Sequence, residues 1–178
     1  LYQRALAIDT QALGPNHPAL VHGYLGLARI DRAQGKADSA ERWIEQAITV
    51  ADKAAIAPSD RVELYEFRAE LGWRAGRRDE ALADLREALR LADEQRGLVS
   101  GGELERSAAF AKSAGVYERM VAWQAELGNV GEALSAIERA RGRSLLDEMQ
   151  QAGADPGAGL SAAERESLRA QESALKEE

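Results

Sequence analysis

Apolar residues recur along this chain with the 3.6-residue period of helices, and glycine or proline interrupts them at regular places; the pattern predicts eight helices. The first covers about 1–13, carries Leu1, Ala5, Leu6 and Ile8, and stops at Leu13-Gly14-Pro15. Asn16 or His17 caps the second, with Pro18 in its first turn, where a missing N–H does no harm, and this helix runs to about Gln34. The third spans about 37–55, the fourth starts at Ser59 or Asp60 and ends at Gly76, and the fifth spans about 78–96. A long sixth helix over about 103–127 precedes a seventh over about 130–151. The segment Gly153-Ala-Asp-Pro-Gly-Ala-Gly159 is a loop, and Ser161-Ala-Ala-Glu164 has the spacing of a capping box that opens an eighth helix.

One phrase occurs three times: Gly35-Lys-Ala-Asp-Ser-Ala40, Gly76-Arg-Arg-Asp-Glu-Ala81 and Gly128-Asn-Val-Gly-Glu-Ala133. Each copy is followed by an aliphatic residue (Ile44, Leu85, Ile137) and then by Ala47, Ala88 or Ala140. A glycine, a polar turn and two small residues seven apart on one face describe a helix that ends, turns, and is packed closely by the next. Recurrence of that event predicts a solenoid, because a single helical pair is too small to bury its own apolar face. The interval from Ala5 to Ala47 is 42 residues, from Ala47 to Ala88 41, and from Ala88 to Ala140 52.

With these residues in place, the chain resembles the tetratricopeptide-repeat proteins, whose unit is about 34 residues; one extra turn on each helix adds about 7 and keeps the faces in phase. The aromatic opening position falls on Tyr24, Tyr65 and Tyr117, the later small position on Ala28, Ala69 and Val121, and the turn glycine on Gly35, Gly76 and Gly128. Four residues depart from the pattern: Arg68 stands where an apolar residue is usual, and Asp31, Gly72 and Gln124 where a large one is common. The segment Ala5-Leu-Ala-Ile-Asp-Thr-Gln-Ala-Leu-Gly-Pro-Asn-His-Pro18 resembles the junction between the long repeats of kinesin light chains. The run Glu138-Arg-Ala-Arg-Gly-Arg-Ser-Leu-Leu-Asp-Glu-Met149 resembles the region joining such repeats to a CHAT domain, a caspase-like protease module, in bacterial proteins. The resemblance implies an all-α solenoid of antiparallel helix pairs, a right-handed superhelix that binds a protein or peptide segment in its concave groove and does not catalyse. Its organisation would be a repeat array over 1–151, with a half repeat at 1–13 and helix pairs at 17–55, 58–96 and 103–151. A Gly/Pro linker at 152–160 and a charged helix at 161–178 follow, the latter leading into a further domain. Two other roles are implied: control of an attached CHAT domain, or structural assembly.

Composition narrows the chemistry. Of 178 residues, 45% are apolar but only 5% aromatic, so the core must be built largely from Ala and Leu. The absence of cysteine excludes disulfides and thiolate metal sites. A formal charge of −7 argues against nucleic acid, which needs a basic face. No apolar stretch approaches the roughly 20 residues that span a bilayer, and the protein is expected in the cytoplasm. His17 and His22 are too few for a zinc site, and capping or a surface position is the expected role of His17. Ser59, His22 and Asp31 could be assembled into a triad on paper, yet nothing marks them as activated. No catalytic, metal-binding or cofactor-binding residue is therefore assigned. Trp43 and Trp123 are expected to be structural, whereas Trp73 is the best aromatic candidate for contact with a ligand.

The candidate binding residues lie on the inner face of each pair's first helix. They are His22, Leu25, Arg29 and Arg32, then Glu63, Glu66, Glu70, Trp73 and Arg74, then Gly115, Glu118, Ala122, Ala125 and Glu126. The sequence reads as a gradient, basic in the first pair and acidic in the others, matched to a peptide with a basic segment and an acidic end. The partner is expected to be a protein or peptide, or a neighbouring domain of the same polypeptide. Reversing Glu66 and Glu70 to Lys is expected to redirect binding while sparing the fold. The opening helix, with Tyr2 and Leu6 uncovered, is expected to fray or to pack against another copy as a homodimer.

Overall fold

The computed structural model describes residues 2–98, 103–151 and 161, and the side chains of most of these. Seven helices are described: α1 (Tyr2–Leu13), α2 (Leu20–Ala33), α3 (Ala37–Ala54), α4 (Pro58–Arg74), α5 (Arg78–Leu98), α6 (Glu103–Glu126) and α7 (Val130–Gln151). No strand occurs among the described residues, and the fold is an all-α array of paired helices. The predicted loop at 153–159 and all but the first residue of the helix predicted over 161–178 lie outside the described residues. The chain divides into two compact units, Leu1–Ala136 and Ile137–Glu178, with the boundary inside α7.

Within the first unit, α2 pairs with α3 and α4 with α5, while α1 packs on α2, α3 on α4 and α5 on α6. Each turn glycine sits in the left-handed region, Gly35 at φ +73°, Gly76 at +81° and Gly128 at +77°, where a side chain is disfavoured. The three caps are the same structure. The glycine N–H bonds to the carbonyl of Arg32, Trp73 or Ala125 at 3.0–3.1 Å. The next N–H bonds to Asp31, Gly72 or Gln124 at 2.8, 2.9 and 2.9 Å, the Schellman arrangement. Five of the six repeat alanines are buried as expected: Ala40, Ala47, Ala81, Ala88 and Ala133; Ala140 is half-buried.

Two starts differ from the sequence reading. The second helix begins at Leu20, because residues 14–19 form turns in which the His17 Nδ1 accepts the Ala19 N–H at 3.2 Å. The fourth begins one residue before the predicted serine, with Pro58 in its first turn. α3 ends on Ala55 in the left-handed region at φ 47°, a place where glycine is usual.

The expectation that Leu6 lacks cover is wrong. Leu6 is buried in a small cluster with Leu20 and Leu27, flanked by Tyr24 and Trp43. Gly23 makes this approach feasible, since a Cβ there would sit 3.1 Å from Leu6 Cδ1. In the next two pairs the corresponding positions are the buried Leu64 and Val116. The Tyr2 side chain lies outside the described residues. Ile8 and Leu13 on α1, and Leu127, Val130 and Leu134 around the last described turn, are exposed.

Candidate functional site

Successive first helices α2, α4 and α6 present charged side chains toward one another, each placed there by the repeat spacing. Arg29 on α2 bonds to Glu63 on α4, and Arg32 on α2 to Glu70 on α4. Arg119 on α6 reaches back to α4, 3.1 Å from Glu66 and 2.9 Å from Glu70. Glu70 thus takes an arginine from each neighbouring helix and ties three repeats together. Arg32 also lies over the Phe67 ring at 4.4 Å, so the buried aromatic backs the charge with its electron-rich face. Half-buried, charge-assisted bonds of this kind, linked in a network, are stronger than isolated surface pairs.

This arrangement changes the reading of the face. Arg29, Arg32, Glu63, Glu66 and Glu70 do lie together, as their spacing implied, but they are already engaged with one another or with Arg119. The basic-to-acidic gradient is largely neutralised inside the protein. Reversing Glu66 and Glu70 would set lysines against Arg32 and Arg119, so that substitution is expected to cost stability as well as to alter the face. Leu25 belongs to the core and leaves the face. His22, Arg74 and Glu118 are exposed, and among the described residues they make no ion pair. Gly115, Ala122 and Ala125 are exposed beside Glu118, with open space where a Gly115 Cβ would go.

Trp73 is held by protein groups. Its ring stacks on Trp123 of α6 with centroids 4.2 Å apart and planes within 4°. The Arg78 guanidinium lies 3.9 Å from the Trp73 ring centroid, donates to the Trp73 carbonyl, and sits 3.4 Å from Glu126.

Each pair also carries its own internal polar lock. In the first, the Asp31 carboxylate accepts Ser39 Oγ at 2.6 Å and Trp43 Nε1 at 2.9 Å, and these bonds, the Ser39 bond foremost, hold its pKa below the usual 3.8. Both donors lie on α3, so the Asp31 carboxylate joins α2 to α3 within the first pair. In the second, Arg68 forms a two-pronged bond to the buried Asp84, Nε at 2.9 Å and Nη2 at 2.6 Å, which raises the arginine pKa further. In the third, the buried Gln124 accepts from Asn129 at 2.9 Å. Sequence reasoning missed Arg119, Arg78 and Asp84. The signal for Asp84 was present: it stands where the neighbouring pairs have Trp43 and Ala136, within reach of the equally atypical Arg68.

Among the described residues no group of three His, Asp or Glu side chains could hold a metal ion, and no helix is long and apolar enough to cross a membrane. The tetratricopeptide-repeat family model matches residues 1–53. The match supports a tetratricopeptide-repeat protein. Its span takes in α1, α2 and nearly all of α3, and the same caps and small positions recur through α4–α7 beyond it. No curated protein matches the chain. Tetratricopeptide repeats generally mediate protein–protein interaction and are typically non-catalytic.

Proposed function

We propose that the first unit is a protein-interaction module that receives a partner segment along the face made by α2, α4 and α6. The observation that carries this reading is the ion-pair ladder of Arg29, Arg32, Glu63, Glu66, Glu70 and Arg119, which links side chains from three non-consecutive helices. On that face the ladder fixes the helices, while His22, Arg74 and Glu118, beside Gly115, Ala122 and Ala125, contact the partner. Several weak polar contacts acting together set specificity, because individual exposed ion pairs are worth less than about 1 kcal/mol. Control of a CHAT domain rests on the likeness of Glu138–Met149 alone and takes second place.

A photo-crosslinking residue at Ala122, on the proposed surface, is to be compared with one at the exposed Gln46 on α3 in the source cell. The expected result is one partner captured from position 122 and absent from position 46. Capture of that partner from position 46 alone would overturn the assignment.

A further inference from the structure

Trp73 has a neighbour on its ring at 4.2 Å and a second at 3.9 Å. Two groups that close to one centroid overlap if they share a face, so Trp123 takes one face and Arg78 the other. The Trp123 side is a parallel aromatic stack that joins α4 to α6. The Arg78 side is of another kind. Arg78 is only partly buried, and besides the ring its side chain contacts, among the described residues, the Trp73 carbonyl and, in a long 3.4 Å pair, the exposed Glu126. That carbonyl already accepts the Gly76 N–H at 3.1 Å as part of the helix cap, so the cap does not depend on Arg78.

An indole face covered by a guanidinium and flanked by a carboxylate is the chemistry by which proteins recognise cations. Here the cation is the chain's own. We propose that the Trp73–Trp123 stack is a cation-binding platform that Arg78 occupies at rest, and that a basic side chain of the partner segment takes its place. The platform gives the partner a defined chemistry: an arginine, lysine or alkylated lysine, with its charge over Trp73 and its donors toward Glu126. Displaced Arg78 is exposed and regains hydration, so the exchange trades like for like and specificity comes from the rest of the segment. This inference rests on the partner-binding reading of the same face, and its test uses small cations, so the two can fail separately.

The test is tryptophan fluorescence during titration with tetramethylammonium chloride, against sodium chloride at the same ionic strength, for the whole chain and three variants. Arg78→Ala vacates the platform, Arg78→Gln vacates its charge while keeping a donor for the Trp73 carbonyl, and Trp73→Leu/Arg78→Ala removes the ring. Circular dichroism confirms that each is helical. The expected result is a saturable response in both single variants, at least about tenfold stronger than in the wild type, and none in the double variant. A peptide containing arginine should then compete with tetramethylammonium, and its citrulline counterpart should not. Equal responses from wild type and both Arg78 variants, or a response that survives loss of Trp73, would overturn the proposal.

Discussion

The two ends of the α2–α4–α6 face are built from the same repeat and hold their side chains differently. Toward α2 and α4, the charges are interlocked: Arg29 with Glu63, Arg32 with Glu70, and Arg119 with both Glu66 and Glu70. Toward α6 the face opens into small residues, with Glu118 exposed among Gly115, Ala122 and Ala125. A charge that sequence alone marks as available for a partner can be spent on the neighbouring repeat. In this array the spacing that lines side chains up along successive first helices also lets them pair with each other.

The largest effect should come from attacking the interlocked end. Glu66→Lys/Glu70→Lys removes three ion pairs and leaves Arg32 and Arg119 facing new cations, and it should cost on the order of 2–4 kcal/mol in urea unfolding. Arg74→Glu/Glu118→Lys, at two exposed residues outside the ladder, should change stability by less than about 0.5 kcal/mol. Equal costs for the two would erase the distinction.

Next in size is the lock inside the second pair. Asp84→Ala strands the half-buried Arg68 and should cost about 2–3 kcal/mol, below the range for a fully buried pair because Arg68 keeps some contact with water. Adding Arg68→Met, the residue that the third pair carries at this position as Met120, should recover most of the loss. Failure to recover would show that the pair contributes more than its own satisfaction.

Those two residues also show what could be read in advance. The helices, their caps and the buried alanines follow from local spacing, and Gly35, Gly76 and Gly128 marked three turns that proved identical. Arg68 stood out in the sequence as a misfit, but its meaning required Asp84, sixteen residues on across a turn. The ladder was legible only as a set of candidates. Which charges meet depends on the side-by-side placement of α2, α4 and α6, which no single-helix pattern contains, and Arg119 therefore went unnoticed. Leu6 was misjudged for the same reason, since its cover comes from Leu20 and Leu27 and from the space left at Gly23.

Smaller effects refine the comparison between pairs. Ala55→Gly should raise stability by a few tenths to about 1 kcal/mol, since Ala55 holds a left-handed conformation that glycine adopts without strain. The Asp31 pKa is lowered in the fold, so its contribution is present above the ordinary value of 3.8 and disappears as pH falls through and below it. The stability advantage of wild type over Asp31→Asn, followed by chemical denaturation, should therefore shrink steadily from about pH 5 downward. The second pair lacks this group, its lock being Arg68 with Asp84, so Asp84→Ala should not abolish that trend.

The division of the face is tested most directly by titrating the partner crosslinked at position 122 against two double variants, each also followed in thermal unfolding. The account predicts that Arg74→Glu/Glu118→Lys keeps the wild-type melting temperature and loses about tenfold or more in affinity, whereas Glu66→Gln/Glu70→Gln melts earlier and, while folded, binds nearly as wild type does. The opposite result, with affinity following the ladder and indifferent to Arg74 and Glu118, would contradict it.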